Sequence, residues 1–397
     1  MRVLLLTEYY APHAGGTAVY YHAITRRLRP DVIMVAARTH PLAAEFDGQL
    51  PFPVVRTPFP RIPKVRLLVE WWAMVCVAVW GVWRRGVTVL QAGQVFPLGL
   101  AAYVAHRITG VPYAVYVHGE ELTVAARLRR RLVRYTLGRA EAVFVNSLFT
   151  ARQALSLGVP RRRLHLVRPA VDTRRFRPRR PLPSRARWGD AGRRVLLTVG
   201  RLVPRKGQDT VIRLLPRLAE VVPDVVYWVA GDGSEAERRR LAKLAAESGV
   251  AERVRFLGTV PLGELASLYS ACDVFVMLNR TMPDGDVEGF GTVFLEAGAC
   301  GKPVVGGRSG GAPEAVRDGV TGFLVRDGDD EAAVEVISRL LRDEALRGSL
   351  GEAGRRHAVE RCSWDRAARR VAAVSLDLSP RGGGAAVPAG RKRKVTA

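Results

Sequence analysis

Two glycine-flanked segments of this 397-residue chain carry charged side chains that could act together on a phosphorylated ligand. The first, GRLVPRKG at residues 200–207, offers Arg201 and Lys206 directly after an apolar run. Two fixed cations suit a diphosphate leaving group because they stabilise the negative charge that develops on it. An ordinary basic surface turn is the alternative. The position after a predicted strand favours ligand binding, because α/β proteins bind ligands at the carboxyl ends of strands.

The second segment, DVEGFGTVFLEA at residues 286–297, contains two carboxylates, Glu288 and Glu296. A helix is predicted to begin near Gly291, where the glycines expose backbone N–H groups. Glu296 then lies on the second turn of this helix, and its apolar neighbours indicate that it points into a cleft. One acid in a loop and one on a helix can bind hydroxyl groups at two places on an extended ligand.

Two weaker candidates lie in the first half of the chain. Gly15 and Gly16 follow the first predicted strand and precede a helix whose N–H groups and dipole would favour a phosphate. The segment is not GxGxxG, and no acidic residue directly follows the second strand, which argues against a nicotinamide dehydrogenase. His118 ends another predicted strand, where it could hydrogen-bond a sugar or accept a proton; a structural role is the alternative.

Short apolar runs alternate with longer amphipathic ones along most of the chain, which predicts two doubly wound α/β domains. The strands are predicted at 3–7, 32–36, 87–91, 113–117 and 142–146, and then at 194–200, 225–231, 254–257, 274–277, 303–305 and 322–325. A Pro- and Arg-rich stretch at 174–187 is interpreted as the linker between them. We expect an N-terminal domain over 1–175, a C-terminal domain over 190–362, and a disordered basic tail over 379–397.

The charge balance points to an anionic partner. The chain has 62 Lys and Arg against 37 Asp and Glu, a formal net charge of +25. No nucleic-acid-binding motif is present, so a nucleic acid is not expected as partner. Solvated surface arginine and docking to an anionic membrane both remain open as explanations. The four cysteines form no CxxC pair, which indicates reduced thiols and a cytoplasmic location rather than a zinc site or disulfides.

One segment could contact lipid. The uncharged stretch 71–83 is too short to span the ~30 Å hydrocarbon core of a bilayer as a helix. It contains four tryptophans and has basic flanks, which suits an interfacial helix. Packing on the sheet as core is an equally weighted alternative. The basic run at 127–134 could extend a lipid-facing patch, and the protein would then be peripheral at the inner face of the cell membrane.

Together with ACGKPVV at 299–305 and GGAPEAV at 310–316, these motifs resemble glycosyltransferase family 4, the retaining nucleotide-sugar transferases of the GT-B fold. The resemblance covers the chain from residue 1 to about 378. The segment 282–305 resembles in particular the bacterial phosphatidylinositol-mannoside mannosyltransferases that use GDP-mannose. The resemblance implies two Rossmann-like domains facing each other across a cleft. It also implies that a last helix, at about 363–378, crosses back to the N-terminal, acceptor-binding domain.

The resemblance further implies how the nucleotide would be held. Gly16 would donate a backbone N–H to the diphosphate, and Arg201 and Lys206 would neutralise it as it leaves. Glu296 would take the ribose hydroxyls, and the base would lie against the loop that contains Val260. No metal and no cofactor are expected, since arginine and lysine handle the diphosphate in this fold.

The transferred sugar would be held by a second group. Glu288 and the backbone of Gly289, Phe290 and Gly291 would bind it, and His118 would contact it near the reacting carbon. The Asp-Gly-Asp triplet at 284–286 imitates the metal-binding triplet of another transferase architecture and is interpreted as part of a loop.

The predicted activity is hexosyl transfer, with mannose from GDP-mannose, to a lipid-linked or polyol acceptor such as a phosphatidylinositol mannoside. The alternatives are a UDP-sugar-dependent transferase with another acceptor and a nucleotide-sugar 2-epimerase. A sugar-nucleotide-binding module without activity and a basic nucleic-acid-binding protein are further rivals. The latter would leave Glu288 and Glu296 without a role.

Overall fold

The first half of the chain folds around a seven-stranded parallel sheet. The computed structural model describes residues 1–13, 15–57, 63–122, 127–179, 185–186 and 189–379. The strands of the first sheet are β1 (Val3–Thr7), β2 (Ile33–Arg38), β3 (Val54–Thr57), β4 (Val89–Ala92), β5 (Tyr113–Val117), β6 (Ala142–Val145) and β7 (Leu164–Leu166). Their order is β3-β2-β1-β4-β5-β6-β7. Strands β2 and β3 therefore extend the sheet on one side of β1, and β4 to β7 extend it on the other side.

Helices cover both faces of this sheet. They are α1 (Gly16–Thr25), α2 (Ala43–Gly48), α3 (Pro63–Arg85), α4 (Leu100–Thr109), α5 (Arg127–Arg139) and α6 (Leu148–Ser156). Buried side chains of α3 to α6, such as Met74, Ala102 and Leu137, share one core with Leu4 and Leu6 of β1. Side chains of α1 pack on the opposite face. Strands buried on both faces read as unbroken apolar runs, which is why the sequence pattern reveals them.

The second half repeats this architecture with a six-stranded parallel sheet. Its strands are β8 (Arg194–Val199), β9 (Val225–Ala230), β10 (Val254–Gly258), β11 (Val274–Met277), β12 (Val304–Gly307) and β13 (Gly322–Val325), in the order β10-β9-β8-β11-β12-β13. Its helices are α7 (Gln208–Val221), α8 (Glu235–Glu247), α9 (Leu262–Ala271), α10 (Thr292–Ala299), α11 (Ala312–Ala315), α12 (Asp330–Arg342) and α13 (Glu344–Arg361).

The last helix, α14 (Trp364–Leu378), returns to the first sheet. The Trp364 ring meets the Tyr20 ring of α1 edge to face, with centroids 5.5 Å apart. The Oγ of Ser375 accepts a hydrogen bond of 2.8 Å from Gln91 Nε2 in β4. The expected GT-B architecture, including the crossing helix, is therefore confirmed.

Most predicted strands agree with the structure to within about two residues, and several short elements went unpredicted. These are α2, β3, α6, β7 and α11. All of the β7 side chains and all but one of those in β3 are only partly buried, so neither strand gives a strong apolar run. The predicted tail lies outside the described residues beyond 379, as does part of the predicted linker.

Helix α3, which contains the tryptophan segment, packs on the sheet along one side and exposes another. Met74, Val75 and Ala78 are buried against the sheet. A stripe along the opposite side, which we call the tryptophan stripe, is exposed and consists of Leu68, Trp72, Cys76, Trp80 and Trp83. These residues recur every three or four positions and so share one helix face. None of the helices within the described ranges is long and apolar enough to cross a membrane.

Candidate active site

A buried ion pair joins the tips of β8 and β11. Lys206 Nζ lies 2.5 Å from Glu288 Oε2, and the two side chains are only 11% and 12% exposed. Lys206 ends a short 3-10 turn after β8, and Glu288 lies in the loop between β11 and α10. Two residues separated by 82 positions are thus brought together at the carboxyl edge of the second sheet.

Gly207 explains why the two loops lie so close. Its φ is +74°, a left-handed conformation that favours glycine, and it forms the N-cap of α7. A Cβ at this position would lie 2.0 Å from the carbonyl oxygen of Leu278, directly after β11. The backbone of the basic loop therefore rests on the tip of β11, which carries Lys206 to Glu288.

Arg205 completes the cluster, although the sequence analysis did not single it out. Its Nη1 lies 2.9 Å from Glu288 Oε2 and its Nε lies 3.1 Å from Asp286 Oδ2. The Arg205 side chain is 5% exposed. The sequence offers only a general signal, three basic residues in one loop and several acids in another, which does not separate Arg205 from Arg201. Asp286 belongs to the Asp-Gly-Asp triplet that imitates a metal-binding motif, and it pairs with Arg205. In the described ranges no group of three His, Cys, Asp or Glu residues could hold a metal ion.

The cations decide the charge state of Glu288. Burial alone would raise its pKa, but the charges of Lys206 and Arg205 and a hydrogen bond from the Phe290 N–H outweigh burial and lower the pKa below its ordinary value. Glu288 is therefore an anion at neutral pH, with Lys206 as its counter-ion.

Glu296 has a different environment on α10. Burial raises its pKa, while a hydrogen bond from Tyr269 and the charge of Lys206 act in the opposite direction. The Tyr269 hydroxyl donates to Glu296 Oε2 over 2.7 Å. The charge of Lys206 thus lowers the pKa of both acids. Arg201 lies at the same strand tip with its side chain exposed, and its carbonyl accepts a hydrogen bond of 3.0 Å from Gln208.

The loop after Glu288 presents backbone rather than side chains. The Phe290 ring is buried in the core of the second domain, and Gly291 is the N-cap of α10 with φ +87°. The Gly311 N–H donates to the Glu288 carbonyl over 2.8 Å. A Cβ on Gly311 would lie 2.0 Å from the carbonyl oxygen of Gly289. The glycines of the GGAPE segment therefore allow its backbone to pack directly against the backbone of this loop.

His118, at the end of β5, faces this loop from the first domain. Its Nε2 lies 2.5 Å from the Tyr21 hydroxyl, which itself donates to the Gly93 carbonyl. In the tautomer compatible with a Tyr21 hydroxyl that donates to Gly93, Nε2 carries the proton and Nδ1 is the nitrogen able to accept a hydrogen bond. Burial lowers the pKa of His118 to about 4, so the ring is neutral at pH 7.

The two domains touch at His118. A Cβ on Gly289 would lie 2.0 Å from the His118 carbonyl oxygen, so only glycine allows this approach. The same carbonyl accepts a hydrogen bond of 2.9 Å from Asn146 Nδ2. Thr150 in turn donates to Asn146 Oδ1 over 2.8 Å. Asn146 is a residue that sequence reasoning missed, because only its position at the seam distinguishes it.

Glu314 of α11 forms a second link between the domains. Its carboxylate accepts the backbone N–H of Leu148, the first residue of α6, over 2.5 Å. Arg168 of the first domain donates to the same carboxylate over 3.1 Å. A carboxylate at a helix N-terminus also interacts favourably with the helix dipole. Glu314 therefore holds the second domain against the first, close to Asn146.

The two remaining candidates lie at other points of the two domains. Gly16 is the first residue of α1, and no atom would lie within 4 Å of a Cβ added to it, so the start of this helix is open. Val260 follows β10 and packs, partly buried, against the core of the second domain. The structure thus brings Lys206, Glu288 and Glu296 together, with Arg201 at the same strand tip and His118 across the seam.

Comparison with known proteins identifies the family. The Glycosyl transferases group 1 family matches residues 184–357, and the Glycosyl transferase 4-like domain matches residues 15–170. The GDP-mannose-dependent alpha-(1-6)-phosphatidylinositol monomannoside mannosyltransferase of Mycolicibacterium smegmatis is 35% identical over 93% of this chain and 97% of its own length. A related mannosyltransferase of Corynebacterium glutamicum, which acts on the monoacylated acceptor, is 31% identical over 96% and 99%.

Solved structures agree on the fold. HepE of Anabaena in complex with UDP superposes with a TM-score of 0.80 at 23% identity, covering 95% of this chain and 100% of HepE. Sucrose-phosphate synthase of Thermosynechococcus elongatus gives 0.79 at 22% identity, covering 95% and 99%. The chain is a glycosyltransferase and belongs to glycosyltransferase family 4, with the GT-B fold.

Proposed function

We propose that this enzyme transfers mannose from GDP-mannose, with retention of configuration, to a lipid-linked acceptor such as a phosphatidylinositol mannoside. The observation that carries the proposal is the pair Lys206–Glu288 beneath a sugar-binding loop that touches His118. The relatives that act on phosphatidylinositol monomannoside, at 34–35% identity over nearly the whole chain, support the choice of donor and acceptor.

The nucleotide would lie along the carboxyl edge of the second sheet. Lys206 and the exposed Arg201 would bind the diphosphate, and the open start of α1 at Gly16 would add backbone N–H groups from the first domain. Glu296 would take the ribose hydroxyls. Its raised pKa is typical of a buried carboxyl group, which the ribose hydroxyls could then hydrogen-bond. The base would lie beside Val260.

The sugar would lie between Glu288 and His118. The ionised carboxylate of Glu288 accepts hydrogen bonds from sugar hydroxyls, and the backbone of Gly289, Phe290 and Gly291 follows the ring. His118 is neutral, so its Nδ1 can accept a hydrogen bond from a hydroxyl near the reacting carbon.

Departure of the diphosphate breaks the bond to the anomeric carbon, and the negative charge that develops falls on oxygens beside Lys206 and Arg201. The acceptor hydroxyl attacks from the same face and its oxygen forms the new bond. Its proton passes to the departing phosphate oxygen. The protein then supplies position and charge rather than a covalent nucleophile.

The acceptor would arrive from a membrane surface. The tryptophan stripe exposes 50% of Trp72, 38% of Trp80 and 67% of Trp83, and exposed Arg84 and Arg85 end the same helix. Tryptophan beside arginine is typical of a helix lying in an anionic lipid interface. The enzyme would accordingly work in the cytoplasm, peripheral at the inner face of the cell membrane.

A panel of nucleotide sugars, incubated with and without lipid extract, tests the function. We expect GDP release from GDP-mannose that depends on lipid, and a mannosylated lipid whose anomeric configuration equals that of the donor. Lipid-independent release of an epimerised sugar would indicate the 2-epimerase. Turnover restricted to UDP-sugars would indicate another transferase. Absence of turnover with every donor would refute the proposal.

Sedimentation with vesicles tests the membrane surface separately. The triple variant Trp72→Ser/Trp80→Ser/Trp83→Ser should lose most of its binding to phosphatidylglycerol vesicles at low salt. Leu262→Ser removes an exposed apolar side chain of the second domain and serves as the matched control. Equal sedimentation of the triple variant and the wild type would contradict a lipid-facing role for the stripe.

A further inference from the structure

The environment of Arg205 differs from that of a solvated surface arginine and from that of an arginine that binds substrate. It is buried, and its guanidinium bridges two carboxylates of the β11–α10 loop, those of Glu288 and Asp286. The backbone holds it as well, because its carbonyl accepts the Arg280 N–H over 2.9 Å. Buried charges persist when they are paired in this way.

We propose that Arg205 is a positioning residue that acts through Glu288, and that Asp286 in turn fixes the guanidinium of Arg205. The inference rests on the proposed function, in which Glu288 binds the donor sugar. It assigns a role to the Asp-Gly-Asp triplet: its second aspartate orients an arginine.

The geometry favours positioning over direct contact with substrate. Arg205 and Lys206 both approach the same oxygen, Oε2 of Glu288, at 2.9 and 2.5 Å. Lys206 can turn toward a bound diphosphate, because its ammonium sits on a flexible stem. Arg205 has its fork committed to two acids, so it retains Glu288 when Lys206 engages the diphosphate.

If Arg205 acts through Glu288, its loss should affect the binding of GDP and of GDP-mannose differently. Losing the Arg205 fork leaves the diphosphate contacts intact but releases the carboxylate that holds the sugar. Arg205→Met should therefore bind GDP within about twofold of the wild type, but should bind GDP-mannose about tenfold more weakly, the scale of one charge-assisted hydrogen bond. Asp286→Asn should show the same pattern with a smaller loss.

A pH profile separates this role from a merely structural one. Removing a cation beside Glu288 raises the pKa of its carboxyl, so the acid limb of kcat/KM for GDP-mannose should move to higher pH in Arg205→Met. Arg280→Met is the matched control, since Arg280 is a part-buried arginine that pairs with Asp209 and not with Glu288. It should lower Tm without moving the acid limb.

Two results would overturn the inference. One is an unchanged acid limb in Arg205→Met. The other is an equal loss of affinity for GDP and GDP-mannose. If Arg205→Met does not fold, Arg205→Gln, which also removes the cation, decides by the same two measurements, and Asp286→Asn decides by the comparison of GDP and GDP-mannose affinity. A wild-type enzyme without turnover of GDP-mannose would instead refute the proposed function, so the two failures are distinguishable.

Discussion

Gly289→Ala would test whether the contact between the two domains at His118 belongs to the active arrangement. The added methyl group would lie 2.0 Å from the His118 carbonyl oxygen and 3.0 Å from Asn146 Nδ2. Carbon and oxygen need more than 3 Å, so the loop that contains Gly289 and His118 must separate by about 1 Å. A misplacement of that size can cost about 10²-fold in rate.

The expected result is a selective loss of turnover. Transfer from GDP-mannose should fall about 10²-fold. The affinity for GDP, measured by calorimetry, should stay within about threefold of the wild type because the diphosphate contacts lie on other loops. Gly348→Ala is the matched control, because Gly348 lies inside α13 with nothing within 4 Å of its Cβ position. Alanine in a helix interior should stabilise this control by up to about 1 kcal/mol and leave turnover unchanged.

A Gly289→Ala enzyme with at least half of the wild-type turnover would mean that the reaction proceeds with the domains further apart than in this structure. A fall in Tm of several degrees together with lost GDP binding would mean that the loop itself is disrupted.

Three further predictions concern charged residues. Lys206→Ala should lower kcat by about 10²-fold or more in a GDP-release assay, whereas exposed Lys243→Ala should not; an unchanged kcat would remove Lys206 from the reaction. Glu288→Gln should have a lower free energy of unfolding than the wild type in urea titrations at pH 7. This difference in unfolding free energy should shrink as the pH falls below 4.5, because a carboxylate with a lowered pKa loses its stabilising effect when it is protonated. A difference that does not depend on pH would contradict the ionised pair. Glu314→Gln should weaken domain closure, seen as a larger radius of gyration in X-ray scattering and a several-fold higher KM for GDP-mannose, with exposed Glu352→Gln as control; identical scattering curves would show that Glu314 does not hold the domains together.

The sequence allowed the fold to be predicted because buried parallel strands have continuous apolar runs. Residues 3–7, 113–117 and 274–277 form strands with the predicted bounds. It was less informative where strands are short and half-buried, as in β3 and β7. For the candidate site, residue types after strand ends were sufficient to predict that Lys206 and Glu288 lie at the same edge of the sheet, since carboxyl ends of parallel strands share one edge.

Contacts across loops and domains could not be read in the same way. Nothing in the pattern around Arg205 distinguishes it from Arg201, because both follow β8 and only the folded loop buries one and exposes the other. Glu314 and Leu148 are 166 positions apart and lie in different domains, so their hydrogen bond depends on how the domains meet. Such partners become visible only when backbone geometry is known.

The charges at the site suggest why a bound donor would stabilise the contact between the domains. Arg205 and Lys206 already face Glu288 and Asp286, so these four groups balance one another. An incoming diphosphate therefore needs additional positive potential. Under the proposed function, Arg201 at the tip of β8 would supply one part of it. The N-terminus of α1, on the opposite domain, would supply another only when the cleft is closed. We expect closure and diphosphate binding to be coupled for this reason, and a nucleoside without phosphates should leave the scattering curve of the enzyme unchanged.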